Sequence, residues 1–377
     1  MSVSRRGILE GVVGAGGILL AQASVAQAQT VPSAAPSPAP APDGETFTID
    51  LLGQPDHFAM NGCWLREANF RNFPASKGIS GGVITLAAGA LRELHWHANA
   101  AEWAYVLSGR CRVSIIDPNG KSQTLDFAAG DTWYFPRGYG HAIQSLDDKA
   151  CTFLLAFDSG VYSEYATFSL SNWLGNMPKP VLAEAFDVPA ATFDALPRKG
   201  EFFATATSPG PLPAEPASGS LNEGPLSCRY PLRAQRPNVK RDGVSMTIAS
   251  SKEFPLCKTM TSALVHIEQG EQRDPHWHPN ANEWQYVISG TARTTIFLSP
   301  DRVVSYDLPA GHLAYVPRGC GHFTQSIGTG PLELAAVFDD GIYESVEMTD
   351  WVRSNTAELL AANLRLSPKD LERVIKS

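Results

Sequence analysis

The chain is predicted to be all-β, built as two tandem antiparallel sandwiches or barrels, and three observations carry the prediction. A block of sequence recurs 181 positions later, so that His95, His97, Glu102 and His141 return as His276, His278, Glu283 and His322. Short apolar or alternating runs dominate both blocks and are separated by turn residues at antiparallel spacing. Strand-then-long-helix alternation, which would argue for a parallel sheet, is not found.

The first residues precede any core. Arg5-Arg6, an apolar run from Val12 to Leu20 and the small-residue stretch ending Val25-Ala26-Gln27-Ala28 follow the order of an export signal. The adjacent arginines and the modest hydrophobicity match the general form of a twin-arginine signal, which exports folded proteins to the periplasm or beyond. The run is too short and too glycine-rich for an anchor, so no stable membrane insertion is expected after the signal, residues 1–28, is removed. Residues 29–45, with Pro32, Pro36, Pro38, Pro40 and Pro42, cannot build a core and read as a flexible lead.

Two domains follow, 46–215 and 216–377, with the cut in a Pro, Gly and Ser-rich crossing between Thr205 and Pro225. In the first, strands are expected at Trp103 to Leu107, Cys111 to Ile116 and Thr152 to Phe157, with a turn at Asp117-Pro-Asn-Gly120. In the second they are expected at Trp284 to Ile288, Ala292 to Phe297 and Leu334 to Phe338. Helical patterns occur near Ala183 to Phe186, Thr192 to Leu196, Asn355 to Leu364 and Pro368 to Lys376, the last opened by a Ser367-Pro368 cap.

Composition excludes some functions. A net charge of −8, with 18% charged residues and no basic run, argues against nucleic acid as a partner. Six cysteines, at 63, 111, 151, 228, 257 and 320, permit disulfides in an oxidising compartment but are too dispersed for a disulfide scaffold.

Six of the nine histidines lie in the two repeated sets. Residues two apart on a strand point the same way, so His95 and His97 can offer both rings to one ion while Trp96 faces away. Glu102 returns after the turn, and His141 must come from a distant strand. Three imidazoles and a carboxylate make a hard to borderline site for a divalent metal with room for a further ligand. Manganese or iron would use that open space; zinc is content with fewer ligands. Arg92 and Arg273 each precede the first histidine by three positions, an odd offset that on a regular strand does not put them beside the metal.

These passages, His95-Trp-His97, Glu102-Trp103, Gly130-Asp131, Phe135-Pro136-Arg-Gly138 and His141, with their partners in the second copy, resemble the bicupin oxalate decarboxylase family over about residues 46–370. The resemblance implies two tandem cupin domains of double-stranded β-helix (jelly-roll) form, each holding manganese on the four repeated ligands, two ions per chain. It implies oxalate as substrate, dioxygen as co-catalyst, and carbon dioxide and formate as products, in a homo-oligomer of trimers or stacked trimers. Arg92 would clamp oxalate, as a planar guanidinium suits a carboxylate, with Arg273 as a second candidate. Glu164 matches the glutamate of the family's mobile lid and would act as general acid and base. Tyr165 and Ala166 depart from the lid pattern, which bears on the balance between decarboxylase and oxidase.

The second copy has Ser345 at the constant-offset equivalent of Glu164, with Glu344 one position early. It also has Ala336 where the resemblance leads one to expect a carboxylate, so it is expected to bind metal with little turnover. Alternatives are oxalate oxidase, an enzyme of another small acid or diketone, or a non-catalytic metal- or sugar-binding protein of this fold.

Overall fold

The computed structural model describes residues 46–162, 167–212 and 227–376. The signal, the lead, Glu164 and much of the interdomain crossing lie outside the described residues. No helix among the described residues is long and apolar enough to cross a membrane.

Four antiparallel sheets form two barrels. The first barrel pairs a seven-stranded sheet, containing Ser80–Leu86, Glu102–Ser108, Thr132–Phe135 and Cys151–Phe157, with a six-stranded sheet. That second sheet contains Leu91–Trp96, Arg110–Ile116, Ser122–Ala128 and Gly140–Ser145. The second barrel repeats the plan with seven and five strands. Each expected strand lies within an observed one, and the helices Lys179–Phe186, Ala357–Leu364 and Pro368–Lys376 also form. The expected helix near Thr192 is a short 3-10 turn, Ala190–Phe193. Helices Leu170–Asn176 and Met348–Arg353, which follow the barrels directly, carried no periodic signal strong enough to read.

The continuous apolar runs of Glu102–Ser108 and Glu283–Ser289 follow from burial of both faces. Ala104 and Val106 point into the first barrel, whereas Trp103 and Tyr105 point outward into a seam shared with Trp284 and Tyr286 of the other half. The seam is thus a third core, made by the backs of the two larger sheets. Strands cross it. Thr48–Asp50 pairs with His312–Val316 of the second barrel, and Arg229–Tyr230 pairs with Thr132–Phe135 of the first. Sequence halves and barrels are therefore not coextensive, and a cut at 215 separates each barrel from the strand it borrows.

Trp284 Nε1 donates across the seam to Ser76 Oγ at 2.7 Å. The repeat partners of Trp284 and Ser76 are Trp103 and Cys257, and the buried Trp103 Nε1 has no hydrogen-bond partner. Cys257→Ser is expected to supply an oxygen acceptor and raise stability by about 1 kcal/mol. Denaturant unfolding checks this, and a destabilised variant refutes it.

Candidate metal centre

In the first barrel, His95 sits on Leu91–Trp96 and His141 on Gly140–Ser145, directly opposite one another across the antiparallel pair. His97 follows the first of these strands, and Glu102 opens Glu102–Ser108 on the facing sheet. The same pairing joins His276 to His322 in the second barrel. All eight side chains are buried, and within each set the ligand atoms lie within 4.8 Å of one another. His97 and His141 Nε2 lie 3.0 and 3.3 Å from Glu102 Oε2. His278 and His322 Nε2 lie 3.3 and 2.8 Å from Glu283 Oε2.

The donor set fits a divalent metal. His141, His278 and His322 Nε2 and Glu283 Oε2 are buried without hydrogen-bond partners. Burying four such polar atoms is costly unless something completes them, and a cation would do so at each centre. The opposite ring nitrogens fix the tautomer: Nδ1 of His95, His141, His276, His278 and His322 donates to the carbonyls of Glu93, Tyr139, Asp274, Glu344 and Cys320. Backbone carbonyls thereby aim each Nε2 lone pair at the centre.

The two carboxylates are oriented by a reciprocal exchange that the sequence reading missed. Trp133 Nε1 donates to Glu102 Oε1 at 3.0 Å, from the strand beside Ala104. In the second barrel Gln285 replaces Ala104 and Ala314 replaces Trp133. Gln285 Nε2 donates to Glu283 Oε1 at 3.1 Å, and Thr294 and Thr324 donate to Gln285 Oε1. The pair Ala104 with Trp133 against Gln285 with Ala314 was visible once the copies were aligned.

Burial pushes His95 well below its ordinary range and lowers His97 from 6.5 to about 4. Glu102 is held below the usual carboxylate range, the pull of His141 and His97 outweighing its burial. His95, His97 and Glu102 are therefore ready for metal at neutral pH without first losing protons. Each depressed group binds fewer protons folded than unfolded, so its stability contribution is full above the unfolded value and is lost as pH falls. For the metal-free protein, His97 alone removes about 3 kcal/mol between pH 6.5 and about 4. Thermal unfolding of the metal-free protein across that window measures the loss; a flat profile contradicts it.

Arg92 corrects the expectation drawn from its odd offset. It is 3% exposed and lines the cavity that holds His95, His97 and Glu102. The reason is a β-bulge: His95 pairs with His141 and Arg92 with Ile143, three residues spanning two. The extra residue turns Arg92 to the metal side. The same bulge lies between Arg273 and His276. Arg273, however, is engaged: Nη1 and Nη2 meet both oxygens of Glu347 at 2.6 and 2.5 Å.

The constant offset also fails beyond Tyr162. Phe168 and Ser169 pair with Trp96 and His95, whereas Val346 and Glu347 pair with Trp277 and His276. These pairs are 178 apart, so the first copy has three extra residues after Tyr162. Glu164 falls in that longer segment, and Ser345 is not its register partner. Tyr162, absent from the sequence-derived site, lines the cavity and donates to Glu67 Oε2 at 2.6 Å. Ala336 is buried in the second barrel's core, and Ile248 there takes the repeat position of Glu67.

Two barrels, each closing three histidines and a glutamate around one centre, define a tandem-barrel metalloprotein. The cupin model matches residues 49–192 and 230–372. The oxalate decarboxylase of Bacillus subtilis is 40% identical over 314 residues, covering 83% of this chain and 80% of the relative. A probable oxalate decarboxylase of Arthroderma benhamiae is 30% identical over 319 residues, covering 84% and 78%. The solved B. subtilis oxalate decarboxylase at pH 4.6 superposes with a TM-score of 0.80 at 36% identity, covering 87% of this chain and 85% of that one. The Lactobacillus farciminis enzyme in its formate complex superposes at 0.81 with 32% identity, covering 87% and 96%. The chain belongs to the cupin family and, within it, to the bicupin oxalate decarboxylases.

Proposed function

We propose that this protein is a manganese-dependent oxalate decarboxylase that converts oxalate to formate and carbon dioxide at the first-barrel centre. The observation that carries the reading is the buried Arg92 guanidinium beside four preset metal ligands. That pairing suits a small anion with a carboxylate at each end. Relatives over more than four fifths of the chain are named for this reaction, and one solved relative is described by its Mn(II) centres.

His95, His97, Glu102 and His141 would hold manganese, which, with dioxygen as co-catalyst, supplies Lewis-acid and one-electron chemistry. Arg92 grips the substrate carboxylate and offsets its charge. Burial lowers Arg92 to about 10, so it stays charged at working pH. Glu164 accepts the proton of the oxalate monoanion. The carbon to carbon bond breaks, carbon dioxide leaves, and Glu164 returns the proton to the remaining carbon to give formate. The proton moves from oxygen to carbon, with no net oxidation.

The second centre, with Arg273 engaged by Glu347, is assigned a metal and a structural or electron-transfer role. Twin-arginine export to the periplasm is part of the proposal, supported by residues 1–28. A trimer or hexamer is supported by the exposed apolar residues Trp173, Val181, Phe186, Trp351 and Leu359 on the helices beside the barrels.

The test is one assay of manganese-loaded protein with oxalate under air at mildly acidic pH, measuring formate, carbon dioxide and peroxide together. Equal formate and carbon dioxide with little peroxide support the decarboxylase. Peroxide and carbon dioxide without formate make it an oxidase, and unconsumed oxalate rejects both.

A further inference from the structure

The two arginines occupy the same bulge position but are held by different devices. Arg273 is clamped by the Glu347 carboxylate, with Ser345 Oγ 3.3 Å from Nη2. The register partner of Glu347 in the first copy is Ser169, whose Oγ instead caps the following helix at Asn172 N. Arg92 lies on an aromatic face: its guanidinium carbon is 3.6 Å from the Phe202 ring centroid, and Nη1 donates to the Phe202 carbonyl at 3.2 Å.

Phe202 belongs to the segment leading out of the first domain, not to the repeated barrel. Its left-handed backbone, with φ of 55°, turns the ring onto Arg92 just before Phe203 and Ala204 pair with Arg92 and Leu91. Phe202 N donates to Glu93 Oε1 at 3.0 Å, and Glu93 N donates to the Phe202 carbonyl at 3.2 Å. The Ser171 hydroxyl binds Glu93 Oε2 at 2.6 Å, and the Phe202 ring stacks on Phe58 with centroids 4.0 Å apart. Glu93, the carboxylate nearest Arg92 among the described residues at 3.9 Å, thus already accepts from two other donors.

A guanidinium forked onto a carboxylate has spent its charge and two parallel donors, so an incoming carboxylate must displace a like-charged group. A guanidinium laid on an aromatic ring is held through its face and keeps its charge and edge donors.

We propose that Phe202 is a positioning residue for Arg92, and that this aromatic cradle leaves Arg92 open to a substrate carboxylate while Glu347 closes Arg273 to one. The difference selects which of two metal sites with the same four ligand types accepts oxalate. This rests on the oxalate reading above and names what makes the first site specific.

The full, manganese-loaded chain is titrated calorimetrically with formate, alongside steady-state oxalate kinetics and metal analysis. Wild type binds one formate per chain. Phe202→Leu keeps the bulk but removes the aromatic face; formate affinity falls and oxalate KM rises, each about tenfold, with both metals retained. Phe202→Tyr restores both values. Glu347→Gln, on the other barrel and independent of Phe202, gains a second formate per chain.

Unchanged formate affinity and KM in Phe202→Leu, or one formate per chain in Glu347→Gln, overturns the proposal while wild-type turnover leaves the decarboxylase reading standing. A wild type that neither consumes oxalate nor binds formate overturns both together.

Discussion

His95→Ala is expected to lower metal content from two ions per chain to one and to cut oxalate consumption by about a thousandfold or more. His95 pairs directly with His141 across the strands, and its Nδ1 is fixed by the Glu93 carbonyl. Among the described residues the cavity beyond is lined mainly by the apolar Ile84, Ile143, Phe153 and Leu155, with Arg92 and Tyr162, and none of these offers an imidazole in its place. Alanine therefore leaves two imidazoles and a carboxylate in an apolar pocket. His276→Ala is expected to lose the other ion and retain most turnover, because Arg273 beside it is closed by Glu347. Metal analysis and formate production on both variants decide the matter. Full activity in His95→Ala, or none in a His276→Ala protein that keeps its first metal, sinks the assignment of roles to the two sites.

The ligands were legible because metal chemistry demands particular residue types at particular spacings, and duplication printed each constraint twice. The strands were legible because sheets covered on both faces read as short apolar runs, as in Trp103 to Leu107. Alternation alone did not put Arg92 beside the metal, because it has no allowance for an extra residue. A clue existed in Pro275, which sits within the bulged strand Gln272–Trp277, where a proline marks an interrupted ladder. The three-residue difference beyond Tyr162 was hidden by carrying the offset of 181 too far; Trp173 and Trp351, which pack on Trp96 and Trp277, are 178 apart. Phe202 had no signal in the repeat, because the segment that carries it lies outside the duplicated barrels. Its contact with Arg92 depends on long-range pairing that no local pattern encodes.

Glu164→Ala is expected to reduce formate production by about 10² to 10⁴-fold while leaving both metals bound. The residue lies in the first copy's longer segment and is not among the eight ligands, so metal content has no reason to change. Its removal deletes the group that takes the proton from oxalate and returns it to carbon. Glu164→Gln, which keeps the shape but cannot carry the proton, is expected to match alanine, whereas Glu164→Asp retains part of the activity. Oxidation to carbon dioxide needs no proton delivered to carbon. Peroxide formation should therefore survive in Glu164→Ala, and the ratio of peroxide to formate should rise. Formate at the wild-type rate would assign the proton step to another group, and Tyr162, which lines the same cavity and donates to Glu67, is the next to replace. Loss of formate and peroxide together, with metals intact, would instead place the need for Glu164 before the two routes divide, in taking the first proton or in binding oxalate, and a raised oxalate KM would mark binding.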